Sequence, residues 1–408
     1  MTPYLLLGIG LALVSCSGPS LIVEDIASPG GSGSRYPNLW ATGEQTLLTS
    51  WLEPGTGDTF SLRMAEWDGD RWQPPHTVAS GANFFVNWAD FPSLYQSRGD
   101  TLAAHWLVRS AGGTYEYDTH VSMSPDRGET WSVPMKPHRD NRLTEHGFVS
   151  FFPFPSADAG LVWLDGRNMV LPGGPEKEDS LRGSMFLYAA TLEYGGKLGP
   201  EVVLDNRVCE CCATSSAAAG STVVVAYRDR SKDEVRDIQV VRYVSGSWSE
   251  PGKVHEDRWT LPGCPVNGPA VAIQDGRVAV AWFTAPDGAG RVNVAFSPDT
   301  GRTFLDPIRL DDGNPLGRVD SEWLPEGDLL VSWIELVDEA ALVMIRRISP
   351  SGTRGPTIPV GSIRSGRESG FPRMARLGNT VYLAWTSPDV ESGLVIKRIG
   401  PGRSDGSS

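Results

Sequence analysis

The sequence predicts an all-β protein folded as a single β-propeller of seven four-stranded blades, on three observations. Seven hydrophobic stretches end on an aromatic residue, at Trp51, Trp106, Trp163, Tyr227, Trp282, Trp333 and Trp385. The gaps between them are 55, 57, 64, 55, 51 and 52 residues, the repeat length of one four-stranded blade. No stretch sustains the 3.6-residue apolar period of a helix, whereas 46 Gly and 31 Pro supply turns. One blade leaves both apolar faces uncovered, so the repeats must stack around an axis.

The elements of each repeat follow in order. First strands begin beside a Pro or a small residue, at Tyr36-Pro37-Asn38-Leu39, Phe91-Pro92-Ser93-Leu94, Gly147-Phe148-Val149, Ala213-Thr214-Ser215, Gly268-Pro269-Ala270-Val271, Val319-Asp320 and Phe371-Pro372-Arg373-Met374. The aromatic-ended strand is second, a β-branched strand follows, and a tight turn leads to the fourth. The last repeat runs out after its third strand, Gly393 to Ile399. Ser20 to Ala27 reads as a strand with no partner of its own. It is therefore expected to complete the last blade and protect the ring's edges.

Composition limits the function classes. A net charge of -13 over 408 residues argues against nucleic acid, whose binding needs a basic surface. Tyr4 to Val14 is apolar, of signal-sequence length, and too short to span a bilayer. It ends Leu13-Val14-Ser15-Cys16, which resembles the bacterial lipobox. The resemblance implies that residues 1–15 are a signal peptide and that Cys16 is lipidated. Ser17 resembles the outer-membrane sorting pattern, which implies a protein facing the periplasm on a lipid anchor. The division expected is a lipid-anchored segment 16–34 holding the closing strand (20–27) and a linker, a propeller over 35–400, and a flexible tail at 401–408.

Two turns between third and fourth strands share the pattern S-x-D-x-G-x-T-[WF]. One uses Ser124, Asp126, Gly128 and Trp131, the other Ser297, Asp299, Gly301 and Phe304. Ser and Asp side chains bind the turn backbone, and Gly takes a positive φ. The pattern resembles the Asp-box of sialidases and related BNR-repeat proteins, where it is a folding device far from the active site. The resemblance spans roughly residues 30–400 and implies a glycan-related function; sialidases proper have six blades, which is the alternative count.

Loops that lead into first strands (inlet loops) and loops that leave second strands (outlet loops) share one face, where any site must lie. The resemblance implies a carboxylate-binding arginine tripod there: Arg35, Arg228 with Arg230 as its near competitor, and Arg291. Guanidinium groups suit a carboxylate through paired, charge-assisted hydrogen bonds. The catalytic pair does not carry over. Sialidases use a glutamate-activated tyrosine as nucleophile, and Phe371 stands where that hydroxyl is needed; Asp90 matches the acid/base aspartate. An exo-α-sialidase-type hydrolase is thus expected to turn over simple sialosides poorly, if it turns them over.

Cysteines occupy two consecutive inlet loops: Cys209, Cys211 and Cys212 on one, Cys264 on the next. Two disulfides, such as Cys209–Cys212 with Cys211–Cys264, suit an oxidising compartment. A thiolate site for Cu(I) or Zn(II), with His146 as a further ligand, is the alternative. The residues therefore support two functions: binding or divergent hydrolysis of an acidic glycan at an arginine-rich centre, or a non-enzymatic metal-binding or interaction scaffold on the cysteine loops.

Overall fold

The computed structural model describes residues 21–42, 46–169, 183–193 and 197–401. The expected signal peptide (1–15), Cys16 and most of the expected tail (401–408) lie outside them. Among the described residues no helix is long and apolar enough to cross a membrane.

Seven antiparallel sheets form a seven-bladed propeller, as the repeat predicts. Blade 1 is Arg35–Thr42, Thr46–Pro54, Phe60–Trp67 and His76–Gly81; blade 2 is Ser93–Gln96, Leu102–Arg109 and Tyr117–Ser124. Blade 2 gains its outer edge from Met135, which exchanges two 2.8 Å backbone hydrogen bonds with Val121. Blade 3 is His146–Phe152, Ala159–Asp165 and Met185–Glu193, edged by Lys197–Leu198 and Val202–Val208. Blade 4 is Ser215–Ala219, Thr222–Arg228 and Ile238–Val244, edged by Ser247–Trp248 and Gly252–Lys253. Blade 5 is Ala270–Gln274, Arg277–Thr284, Arg291–Ser297 and Ile308–Arg309; blade 6 is Asn314–Trp323, Leu329–Val337, Ala340–Ile348 and Arg354–Ser362.

Blade 7 is Arg373–Leu377, Thr380–Thr386 and Leu394–Pro401, and its outer strand is Leu21–Ile26. The pairing runs from Leu21 opposite Pro401 to Ile26 opposite Ile396. Leu21 and Val23 pack on the cluster shared by blades 6 and 7, and Arg398 and Lys397 pair with Glu24 and Asp25. The chain's beginning thus closes the ring on its end.

The seven repeat aromatics lie between blades, none more than 4% exposed. A buried indole N–H or phenol O–H calls for a partner, and five of the seven repeat aromatics find a carboxylate. Trp51 donates to Glu53 (3.2 Å), Trp163 to Asp165 (2.8 Å) and Trp333 to Glu335 (2.6 Å), each two residues on. Tyr227 donates to Asp205 and Trp282 to Asp257, both at 2.6 Å. Several outlet-loop carboxylates are therefore committed to the fold. The two S-x-D-x-G-x-T turns share one geometry: Gly128 N–H donates to Ser124 and Thr130 N–H to Asp126, as Gly301 does to Ser297 and Thr303 to Asp299.

Inlet loops repeat a strained turn. Tyr36 (φ 55), Phe148 (φ 54), Val266 (φ 49) and Arg318 (φ 55) are left-handed without being glycine, which costs of order 1–3 kcal/mol each. A neighbouring blade compensates: the N–H groups of Tyr36, Phe148 and Arg318 donate to Thr386 (2.7 Å), Asp90 (2.9 Å) and Asn267 (2.7 Å). The turn gathers Phe148, Phe371, Trp88, Phe91 and Val266 into one apolar cluster. An axial cavity of about 300 Å³ is lined by first-strand residues including Ser93, Ser150, Ser216 and Ser321.

The four cysteines pair as Cys209–Cys212 and Cys211–Cys264, with Cα separations of 5.7 and 6.2 Å. The second bridge staples the inlet loops of blades 4 and 5.

Two stability experiments follow. Deleting residues 21–26 should lower the melting temperature of the whole ring in a single transition; an unchanged melting temperature would contradict closure by this strand. Replacing Cys211 and Cys264 together by Ser should cost about 4 kcal/mol, and the Cys209–Cys212 pair about 2 kcal/mol, because the enclosed loops differ so much in length. Equal costs in chemical denaturation would rule out that entropic account.

Candidate functional site

The arginines expected to form a tripod are each engaged with the protein itself. Arg228 is 1% exposed and donates to three backbone carbonyls, of Asn267 (2.8 Å), Arg236 (2.6 Å) and Phe283 (2.7 Å). Its guanidinium stacks 5.0 Å over the Trp259 ring, and burial lowers its pKa to about 9. Arg230 pairs with Glu210 and Glu234, and Arg291 pairs with Asp287 in its own loop. Arg35 lies 5.4 Å over the Phe60 ring and reaches the Gly33 carbonyl. Arg318, buried at the axis, donates to the carbonyls of Gly366 and Gly370. The sequence motif predicted an anion receptor at these positions; the structure gives the side chains partners from their own or adjacent loops.

Phe371 belongs to the apolar cluster near the axis, stacked 5.8 Å from Trp88. A hydroxyl instead occurs one seam away, between blades 2 and 3. Tyr117 opens the third strand of blade 2, Asp90 lies on that blade's inlet loop, and Glu145 precedes the first strand of blade 3. The Tyr117 hydroxyl lies 2.7 Å from Asp90 Oδ2 and 2.9 Å from Glu145 Oε1. Gly147 permits the approach, since a Cβ there would stand 1.9 Å from Asp90 Oδ2. Phe85 stacks on the Tyr117 ring at 4.0 Å.

One phenolic proton cannot serve two carboxylates. The second contact requires a carboxylic acid that donates to the phenol oxygen. Electrostatics agree. Burial pushes Asp90 up to about 7, against the opposing hydrogen bonds from Tyr117 and the Phe148 N–H. Burial also pushes Glu145 up to about 8, opposed by the Tyr117 bond and reinforced by the Asp90 charge. The Tyr117 phenol is held well above its ordinary value by burial and by both carboxyls. At neutral pH the trio therefore retains a carboxyl proton. Tyr117 and Asp90 are buried, while Glu145 keeps a partly exposed edge.

The outlet loop of blade 2 leads directly into Tyr117. Tyr115 is 59% exposed. Arg109 is exposed, stacks 5.1 Å over Phe85, and has no carboxylate partner among the described residues. Arg367, also exposed, lies 5.8 Å over Trp88.

His146, the proposed partner of the cysteines, instead faces Asp118, His138, Asp140 and Asp165. The groups of metal-type side chains around the cysteines include Glu210 but not His146. Sequence reading missed Glu145, Asp118, His138 and Asp140. The signal available was the run His138-Arg139-Asp140 followed by Glu145-His146, two of only six histidines close together, each near an acidic residue.

No family model matches the chain, and no curated protein matches it in sequence. Solved structures do. A protein of unknown function from Dyadobacter fermentans shares 14% identity at a TM-score of 0.50, covering 93% of this chain and 99% of that one. The polysaccharide lyase Uly1 shares 10% at 0.53, covering 96% and 94%. Trypanosoma rangeli sialidase shares 13% at 0.47, covering 82% of this chain and 55% of that one. At such identities the likeness is one of architecture. In fold, the chain is a seven-bladed β-propeller.

Proposed function

We propose that the protein binds and cleaves an acidic glycan at the seam of blades 2 and 3, with Glu145 as the general acid. The observation that carries this reading is the Tyr117–Asp90–Glu145 trio, which keeps a carboxyl protonated near neutral pH beside an open loop. Glycoside cleavage needs such a proton for the leaving oxygen. Tyr117 and Asp90 position Glu145, and burial together with the Asp90 charge holds its pKa up. Tyr115 offers an aromatic face to a sugar, and Arg109 offers an unpaired guanidinium to its carboxylate or sulfate. The likeness in fold to the polysaccharide lyase Uly1 is compatible with this reading.

Simple sialosides fit it poorly, because Arg35, Arg228, Arg230 and Arg291 have partners of their own and Phe371 has no hydroxyl. Thiolate metal binding on the cysteine loops would need free thiols, whereas all four sulfurs are paired. Lipidation of Cys16 would hold the site at the cell envelope, facing the periplasm.

The test is a panel of uronate-containing and sulfated polysaccharides together with a fluorogenic sialoside, read by product release and by binding. Cleavage should appear among the anionic polymers and not with the sialoside. Glu145→Gln should reduce it 10²–10⁴-fold, the usual loss for a general acid, with binding retained. Arg109→Ala should weaken binding instead, most at low salt. The pH dependence has a definite sign: a raised carboxyl pKa means the donor form is present at low pH and lost as pH rises through about 8. Binding and cleavage absent across the panel, or cleavage indifferent to Glu145→Gln, would overturn the proposal.

A further inference from the structure

The inlet loop of blade 2 carries more than Asp90. Its Phe85 and Trp88 each lie under a guanidinium from a different part of the ring. Arg109, ending that blade's second strand, stands 5.1 Å over Phe85, and Arg367, from the inlet loop of blade 7, stands 5.8 Å over Trp88. Both arginines are exposed. Neither side chain makes an ion pair or a hydrogen bond among the described residues. Stacking uses the flat face of a guanidinium and leaves the five N–H donors of its edge unused. Other arginines on this side of the ring fill theirs, Arg228 with three carbonyls and Arg230 with two glutamates.

The loops that present these groups are fixed. The Phe85 N–H donates to the Leu107 carbonyl (2.9 Å) and the Arg109 N–H to the Asn83 carbonyl (2.8 Å). The Asn87 side chain accepts the Ala89 N–H at 2.8 Å, turning the chain between Trp88 and Asp90. In blade 7, Arg318 donates to the carbonyls of Gly366 and Gly370, which bracket the short turn Arg367–Ser369. Backbone held in this way lowers the ordering cost of binding a ligand.

The axial end of this arrangement is short of negative charge. Arg318 lies 4.8 Å from the same Trp88 ring that Arg367 covers. Burial lowers the Arg318 pKa to about 10, opposed by the Glu368 charge and reinforced by repulsion from Arg367. An anion on Arg367 relieves that repulsion through charge-assisted hydrogen bonds. The two arginines also flank the trio. Asp90 accepts the Phe148 N–H of the axial cluster against which Trp88 packs, while the Tyr117 ring stacks on Phe85 at 4.0 Å. Three chain steps separate Phe85 from Trp88, so their Cα atoms are at most about 11 Å apart. A few sugar units cover that distance.

We propose that Arg367 and Trp88 form a second anion subsite on the axial side of the trio, opposite Arg109, so that the protein engages an internal stretch of a polyanionic glycan and not a single terminal sugar. Built on the glycan reading above, the pair of subsites selects a polymer that carries a carboxylate or sulfate on more than one unit. Trp88 supports the Arg367 guanidinium, and the donors along its edge take the anion.

Calorimetric titration of the full chain tests this without reference to cleavage, using the disaccharide and the hexasaccharide of an oligouronate series and of a sulfated series at low salt. The wild type should bind the hexasaccharide of one series about tenfold or more tighter than its disaccharide, the scale of one added hydrogen-bonded charge. Arg367→Ala should remove that advantage, and Arg109→Ala should weaken the hexasaccharide as well. Both side chains are exposed, so the melting temperature should not change in either variant. The advantage should shrink as salt is raised. A disaccharide bound as tightly as the hexasaccharide, or hexasaccharide affinity lost in Arg109→Ala and kept in Arg367→Ala, would overturn the second subsite and leave the glycan reading standing. No binding of any fragment by the wild type would overturn both.

Discussion

Closure of the ring is the constraint on which the rest depends. Each blade hides its two faces only against neighbours, so the first and last repeats must meet, and Leu21–Ile26 makes that contact by pairing with Leu394–Pro401. Closure then draws seven inlet loops around a narrow axis. Polar backbone trapped there has little access to water, and an unpaired buried group costs about 1–3 kcal/mol. The left-handed turns at Tyr36, Phe148 and Arg318 and the side chains that receive their N–H groups are consequences of that crowding.

The same crowding explains the fate of the arginines. A guanidinium has five donors in a rigid fork, well suited to gathering carbonyls from loops that converge without a sheet to pair them. Arg228 collects three and Arg318 two. Removing water from charged groups makes the opposite demand on carboxyls, which keep their protons. Asp90 and Glu145 are the result: burial raises both, and Tyr117 between them ties the two carboxyls together through its hydroxyl. Fold and chemistry are thus linked at the seam of blades 2 and 3: Asp90 bonds the Phe148 N–H that the fold requires and the Tyr117 hydroxyl that the site uses.

Features set by local pattern were legible in the sequence. The aromatic strand ends, the turn at Ser124–Trp131, the closing strand and the cysteine pairing each follow from residues close in the chain or from counting what lacks a partner. Arg228 ends a second strand and Arg291 opens a third, but what a guanidinium such as that of Arg228 bonds to depends on which carbonyls another blade brings over it. The trio was hidden for a similar reason. Tyr117 is 27 residues from Asp90 and 28 from Glu145, spacings that mean nothing until two blades pack. His138 lies in the irregular stretch after Met135, where no periodicity points to a facing partner, so its ring stacked on His146 had no one-dimensional signature.

The central claim is that the fold holds a carboxyl proton on the Tyr117 trio at neutral pH. The most direct measurement is a carbon-13 NMR titration of the carboxyl groups, with Asp90→Asn and Glu145→Gln used to assign the two resonances. The account predicts apparent transitions near 7 and 8. Both carboxyls titrating near 4 in the folded wild type, as free side chains do, would contradict it.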